Sequence, residues 1–98
     1  MPAAGKVWWL YVLECTGDRL YTGVSPDVAA RFRVHAAGKG AFFTKLNPPL
    51  RVLGAMPVGS QSEALQAEYA FKKLSVLEKR QRAAEWRGIT GNPATGHR

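Results

Sequence analysis

The sequence has 98 residues, a length that predicts one domain with a small core. Hydrophobic residues make up 46% and charged residues 21%, which excludes a disordered chain, and no apolar stretch approaches the roughly 20 residues that span a bilayer. Fourteen Lys and Arg against seven Asp and Glu give a net charge of +7, which favours nucleic acid as a partner over an anionic membrane surface; the alternative is a solvated basic face.

The cysteine content and the chain start both bear on location. A single cysteine, Cys15, excludes a disulfide within the chain and a cysteine-rich zinc site, and we interpret it as a small packing residue. The letters MPAAGK lack the basic leader and cleavage site of a secretory signal, so a cytoplasmic location is predicted. We expect residues 1–6 to form an N-terminal extension, residues 7–86 the folded domain and residues 87–98 a flexible tail.

Two apolar segments, residues 7–14 and 19–24, flank the turn letters TGD and predict an antiparallel hairpin. If the strands pair so that Tyr11 lies opposite Gly23, Tyr21 falls on the same face of the sheet as Tyr11. A slip of one residue would place the two tyrosines on opposite faces. Because isolated strand tyrosines usually fill a core, the pair alone leaves a core and a functional interpretation open.

The next segment predicts a helix. Ser25, Pro26 and Asp27 form its start, with the Ser25 hydroxyl as the cap, proline in the first turn and an acid beside it. The helix is expected over about 27–37 and to end at Gly38. The letters GKGAFFTK that follow predict a basic, glycine-rich loop with a short helical turn.

The second half of the chain predicts one strand and two helices. The strand is expected over about 50–57 and the next helix over about 61–74. Ser75 and Glu78 form a capping box that opens the last helix, over about 76–86. The order ββαβαα predicts an α+β domain whose small, mostly antiparallel three-stranded sheet is flanked by helices.

Two helices carry polar residues beside their apolar faces. Arg31 and His35 are spaced i, i+4 at the predicted boundary between core and solvent, where the alternative is an Arg stem lying over apolar surface next to a partly exposed His. Glu68 lies at the edge of the apolar stripe of the next helix and needs a cation to stay charged there. Lys72, one turn further, or a divalent metal would each supply that charge.

The ordered set of these polar positions resembles the GIY-YIG nuclease superfamily, with LYV in place of GIY and YTG in place of YIG. The similarity runs from about Trp8 to Leu77, roughly three quarters of the chain. The stretches LYTGVSPDVAARFRVHAAGKGAFFT and SEALQAEYAFKKLS are particularly similar to the small stand-alone bacterial proteins of this family. The positions that carry the resemblance are Tyr11, Tyr21, Arg31, His35 and Glu68.

The resemblance implies phosphodiester hydrolysis with one divalent metal ion, Mg²⁺ or Mn²⁺. Our leading hypothesis is an endonuclease that acts on DNA with little sequence specificity, although the sequence leaves DNA and RNA both open as substrates. The resemblance implies that Glu68 holds the metal, that Arg31 stabilises phosphate charge and that Tyr11 activates or orients water. Tyr21 would complete the positioning network, and His35 would relay a proton or bind phosphate.

Further positions are predicted to contact the nucleic acid. In the basic loop, Lys39 and Lys45 flank Phe42 and Phe43, whose rings either stack on unpaired bases or cover the edge of the core. Glycine at 23 is expected to let substrate or backbone approach closely. The complete predicted set is Gly23, Lys39, Lys45, Lys72 and Lys73.

Two positions depart from the family pattern. Val24 stands where some family nucleases have a lysine, and the downstream Asn of several members has no clear counterpart, since Asn92 falls in the predicted tail. These departures favour a second hypothesis, a nucleic-acid-binding module with weak or no cleavage on the same fold. A basic protein-interaction domain is the third hypothesis, and the sequence leaves the oligomeric state open.

Overall fold

The computed structural model describes residues 6–88, and within them the chain forms three strands and four α-helices. This confirms the predicted α+β class and element order, with one short helix added before the third strand. The predicted extension and tail lie almost wholly outside the described residues, so the domain limits stay a prediction. The elements are β1 (Trp8–Cys15), a 3₁₀ turn (Thr16–Asp18), β2 (Arg19–Ser25), α1 (Val28–Ala36), α2 (Phe42–Leu46), β3 (Pro49–Gly59), α3 (Gln61–Phe71) and α4 (Val76–Trp86).

The sheet has the strand order β2-β1-β3, and both pairs of neighbours are antiparallel. The hairpin of β1 and β2 has the predicted register, because Tyr11 pairs with Gly23 and Leu13 pairs with Tyr21. The turn that fixes this register contains Gly17 at φ 75°, in the left-handed region that glycine adopts without steric cost. β2 is therefore an edge strand of the sheet, hydrogen-bonded to β1 on one side.

The two faces of the sheet are covered by different helices. On one face, Leu10 and Val12 of β1 pack with Phe71 of α3 and Trp86 of α4, whose rings lie 5.1 Å apart between centroids. Each such buried side chain contributes about 1.5–3 kcal/mol relative to its exposed state. The opposite face carries the tyrosines and is covered by α1, whose Val28 is buried there. The sheet thus separates an apolar core from a layer that contains polar rings.

Three of the four helices, α1, α3 and α4, begin at a side-chain cap, with one correction to the prediction. Asp27 caps α1, because its side chain accepts a hydrogen bond from the Ala30 amide at 3.0 Å. The predicted cap, Ser25, instead accepts from the Asp27 amide at 3.0 Å and so closes the turn before the helix. The capping box of Ser75 and Glu78 at α4 is present as predicted.

The helix α4 approaches the sheet closely at a glycine. A Cβ on Gly54 of β3 would overlap the backbone carbonyl of Ala83, so only glycine leaves room for α4 at this point. The β1–β3 register is irregular between Val12 and Leu13, and Arg87 donates to the Leu53 carbonyl at 3.3 Å beside it. Among residues 6–88, no helix combines the length and apolarity that a bilayer crossing requires.

Candidate active site

The hairpin brings both signature tyrosines to one face of the sheet. Their ring centroids lie 6.5 Å apart, and the Tyr21 ring also lies 4.9 Å from that of His35. Tyr11 is 1% exposed and His35 is fully buried, so the cluster extends inward from the surface. The expectation that the two phenols share a face is confirmed. The expectation that His35 lies at the boundary with solvent is wrong.

A chain of hydrogen bonds runs through this cluster. The Tyr11 hydroxyl lies 3.0 Å from Nε2 of His35, and Nδ1 of His35 lies 2.8 Å from Oγ1 of Thr44. The Thr44 hydroxyl donates its one hydrogen to the Ala41 carbonyl at 2.9 Å. The Ala41 amide also points at Nδ1, but at 3.4 Å, and it could donate only to an unprotonated nitrogen. Because the Thr44 contact at 2.8 Å is much the shorter of the two, we assign the His35 proton to Nδ1, which donates to Thr44, and this leaves Nε2 to accept from the Tyr11 hydroxyl.

Two glycines leave the space that the rings of Tyr11 and His35 occupy. A Cβ on Gly23 would lie 2.5 Å from the hydroxyl oxygen and 2.6 Å from Cζ of Tyr11. A Cβ on Gly40 would overlap Nδ1 of His35 and lie 2.7 Å from its Cε1. The prediction that Gly23 lets substrate approach is corrected here, because Gly23 is buried and the group that approaches it is Tyr11.

Burial sets the protonation of Tyr11 and His35, the two titratable groups of this hydrogen-bond chain. Burial is the main cause that raises the pKa of Tyr11, and the neighbouring Tyr21 raises it further, while Arg31 opposes both. Burial also lowers the pKa of His35, and the Arg31 charge lowers it in the same direction. Tyr11 is therefore a neutral phenol and His35 a neutral imidazole near pH 7. Burial therefore outweighs the effect of Arg31 on the pKa of Tyr11.

Arg31 and Glu68 both act on the Tyr11 hydroxyl from different helices. The Arg31 charge and a hydrogen bond from its side chain favour the phenolate form, whereas the Glu68 charge disfavours it. Arg31, on α1, is exposed to solvent, and the Glu68 side chain, on α3, is 18% exposed. The structure thus brings a cation, a carboxylate and a phenol from three elements to one region.

The residues at Glu68 fit a hard divalent ion held by one protein carboxylate, with water and phosphate oxygens as the remaining ligands. No group of three or more His, Cys, Asp or Glu side chains with metal-site geometry exists within residues 6–88, so a cage made only of protein ligands is excluded there. Glu68 Oε2 accepts from Lys72 Nζ at 3.0 Å, the ion pair that the sequence offered as the alternative to a metal. A metal at Glu68 would have to replace this lysine.

The basic positions predicted to contact nucleic acid lie in different surroundings. Lys39 and Lys45 are exposed, in the loop after α1 and on α2. Lys72 pairs with Glu68, and the Lys73 ammonium lies 4.3 Å from the centroid of the Tyr69 ring. The structure therefore keeps all four lysines at the surface, and their contacts with nucleic acid stay a prediction.

The two phenylalanines of the basic loop differ. Phe42 is 73% exposed, so the expectation that it covers the core edge is wrong. Phe43 is 36% exposed and stacks on Tyr21, with centroids 6.0 Å apart and ring planes inclined by 26°. Phe43 thus links α2 to the tyrosine cluster.

Sequence reasoning missed Thr44 and Gly40, which hold His35 in place. Thr44 is 1% exposed although it lies between the exposed positions Phe43 and Lys45. A single buried threonine within a short basic segment has no periodic pattern that would distinguish it from a loop residue. The one usable indication was the glycine in GKGAFF, since a conformationally permissive residue often marks close contact with another group.

Comparison with known proteins shows the family to which this chain belongs. A family model described as the GIY-YIG catalytic domain matches residues 7–81, which include every residue of the tyrosine cluster. The chain therefore belongs to the GIY-YIG family, a nuclease superfamily. Within that family it is similar to the UPF0213 proteins, a group of small bacterial proteins.

Three relatives illustrate this similarity. A UPF0213 protein of Cupriavidus necator is 51% identical over 78 residues, covering 80% of this chain and 85% of the relative. The UPF0213 protein YhbQ of Escherichia coli is 38% identical over 82 residues, covering 84% of this chain and 82% of the relative. The solution NMR structure of a UPF0213 protein from Bacillus halodurans has a TM-score of 0.50 at 37% identity, covering 83% of this chain and 86% of that chain.

Proposed function

We propose that this protein hydrolyses phosphodiester bonds in DNA with Mg²⁺ or Mn²⁺ as its cofactor and with little sequence specificity. One observation carries the proposal. The buried chain from Thr44 through His35 ends at the Tyr11 hydroxyl, and the charges of Arg31 and Glu68 both act on that hydroxyl. A core tyrosine needs neither a fixed imidazole behind it nor two opposite charges beside it.

Arg31 supplies the fixed positive charge. Its side chain is exposed and carries forked donors that match two phosphate oxygens. It lies beside the group proposed to handle the attacking water. Stabilisation of developing charge by such a donor is worth a factor of about 10²–10³ in rate.

Glu68 is the proposed metal ligand. A divalent ion there would polarise the phosphate and stabilise the leaving oxygen. Glu68 contributes its carboxylate from α3, and its partly exposed side chain leaves room for water and phosphate as the other ligands.

The proton path follows the hydrogen-bond chain. Because Tyr11 is a neutral phenol, it acts as a relay and not as a preformed base: its oxygen accepts a proton from the attacking water while its own proton passes to Nε2 of His35. The hydroxide equivalent forms the new bond to phosphorus as the bond to the leaving oxygen breaks. The leaving oxygen takes up a proton from solvent, and His35 afterwards returns its extra proton through Tyr11 to solvent. His35 keeps its Nδ1 proton on Thr44 throughout, which holds the ring in the accepting tautomer.

The basic surface is proposed to contact backbone phosphates, which carry no sequence information. The exposed lysines lie in the loop after α1, on α2 and directly after α3, close to the elements that form the tyrosine cluster. They would supply salt-sensitive affinity. The cytoplasmic location stays a prediction.

The test compares charge removal at the site with charge removal next to it. Purified Glu68→Gln and Arg31→Ala are expected to lose at least 10²-fold in cleavage of labelled DNA with Mg²⁺ or Mn²⁺. Arg33→Ala on the same helix and Glu85→Gln on α4 are matched controls, since both residues are exposed. Site variants that fold and cut like these controls would show that the site is wrongly assigned.

A second candidate function is binding of nucleic acid without efficient cleavage. The ion pair of Lys72 with Glu68 favours it, because the lysine already neutralises the carboxylate that the metal needs. Tight, salt-sensitive DNA binding without product after long incubation in either metal would support this candidate over the first.

A further inference from the structure

A cleft of about 330 Å³ opens at the free edge of β2, beside the tyrosine cluster. Its volume is at the lower end of the range of roughly 300–1,000 Å³ for sites that hold small molecules. The cleft reaches from the α2 side of the sheet to the side of α3 and α4. Its lining residues are Leu20, Tyr21, Thr22, Phe43, Lys72 and Lys79.

One wall of the cleft is aromatic. Phe43 stacks on Tyr21 and remains 36% exposed, so its ring is still accessible to a ligand. Leu20 lines the cleft from the other face of the sheet, where it packs against the core of Leu10 and Val12. Such a wall suits the flat face of a nucleobase, for which stacking on an aromatic side chain is worth about 1–3 kcal/mol.

The other wall is cationic. Lys72 and Lys79 line the cleft, and none of its lining residues carries a carboxylate. Lys79 forms no ion pair with any residue in the described part of the chain, whereas Lys72 is held by Glu68. Two ammonium groups facing an aromatic wall match a ligand with a phosphate at one end and a flat ring at the other.

We propose that this cleft binds one nucleotide of the substrate strand, with its phosphate on Lys72 and Lys79 and its base against Phe43. The inference rests on the proposed action on DNA. Since Lys72 pairs with the proposed metal ligand Glu68, the bound nucleotide flanks the phosphate that is cut.

Glu68 couples this subsite to the metal. While Glu68 neutralises Lys72, the cleft has one free ammonium; once Glu68 holds a divalent ion, Lys72 is released to the phosphate. Nucleotide binding and metal binding therefore strengthen each other, by the same factor in each direction. Glu68→Gln frees Lys72 permanently, so it should increase DNA affinity in EDTA although it abolishes cleavage.

The experiment measures DNA binding in EDTA. The probe is a short DNA oligonucleotide with one 2-aminopurine base, whose fluorescence is quenched when the base stacks on an aromatic ring. Phe43→Ala is expected to remove most of the quenching, and Lys79→Ala to weaken binding about fivefold and to lower the slope of log Kd against log salt by about 0.7. Glu68→Gln is expected to bind about threefold more tightly than the wild type.

Matched controls lie on the same helices outside the cleft. Leu46→Ala on α2 and Arg82→Ala on α4 remove an exposed side chain and an exposed charge. Phe43→Leu keeps the bulk and distinguishes lost stacking from a disturbed α2. Three results would each overturn the proposal. The first is equal quenching in Phe43→Ala and Leu46→Ala, and the second is an equal salt slope in Lys79→Ala and Arg82→Ala. The third is weaker binding by Glu68→Gln than by the wild type. Because no metal is present, failure of cleavage leaves these outcomes unaffected.

Discussion

Replacing Gly23 by alanine tests the packing on which the site depends. The new Cβ would lie 2.6 Å from Cζ of Tyr11, whereas ordinary contact begins near 3.4 Å, so the ring would have to retreat by about 0.8 Å. Tyr11 is 1% exposed and is hydrogen-bonded to His35, so it has no free space to move into. The substitution therefore forces the phenol away from its imidazole partner.

Overpacking of this kind costs about 1–3 kcal/mol. The loss of glycine flexibility in the unfolded chain offsets about 0.4–1 kcal/mol of that cost. The two effects leave a net loss of about 0–2.6 kcal/mol in the free energy of unfolding, with a central value of about 1.3 kcal/mol, measured by urea denaturation. Because the Tyr11 hydroxyl shifts by a large part of an ångström, cleavage should also fall about tenfold to a hundredfold.

Gly88→Ala is the matched control, since within residues 6–88 its Cβ would meet only the Glu85 carbonyl oxygen, at 3.8 Å. Its effect on unfolding should stay within about 0.5 kcal/mol. If Gly23→Ala unfolds at the same urea concentration as this control, the Tyr11 ring does not occupy the space above Gly23, and the reasoning fails.

Three further predictions concern the buried chain and one surface ion-pair network. Thr44→Val keeps the side-chain shape but removes the acceptor of the His35 Nδ1 proton, so thermal unfolding should show a loss of about 1–3 kcal/mol; an unchanged Tm would refute the hydrogen bond. Because folding lowers the pKa of His35, the free energy of unfolding should be highest above about pH 6.5 and should fall by up to about 1.4 kcal/mol per pH unit below it. In His35→Gln the free energy of unfolding, measured with urea, should no longer change with pH over this range. A flat wild-type profile would contradict that assignment. Glu14→Gln removes ion pairs to Arg51 at 2.7 Å and Arg80 at 3.1 Å and should cost about 1 kcal/mol at low salt and less at high salt, whereas equal losses at both would exclude a charge effect.

Local patterns predicted the parts of the fold that local physics determines. The hairpin itself followed from two apolar segments around the TGD turn, whereas its register was one of two possibilities and is decided by the structure. The capping box at Ser75 followed from the spacing of two residues. The cap of α1 was misassigned because Ser25 and Asp27 are both good caps, and which one faces the first turn depends on the direction of the chain leaving β2. Such a choice is made by tertiary structure.

The burial of His35 could not be predicted because the residues that cover it lie outside its own helix. A helical wheel places His35 at the edge of α1, and only the return of the chain through Gly40 and α2 closes over the ring. Likewise, the spacing of the signature residues indicated that Tyr11 and Gly23 meet, but not that the glycine serves the tyrosine itself. The site residues were recognisable, whereas the second layer that orients them was not.

The position of β2 at the edge of the sheet has a consequence for unwanted association between chains during synthesis and handling. An exposed edge is a template on which another chain can add a strand, and lysines beside it oppose that addition through charge repulsion and strong hydration. Lys72 and Lys79 flank this edge and therefore protect against aggregation as well as lining the cleft. Glutamine replacements, which keep the edge hydrated, are for that reason safer than apolar ones when both lysines are changed together.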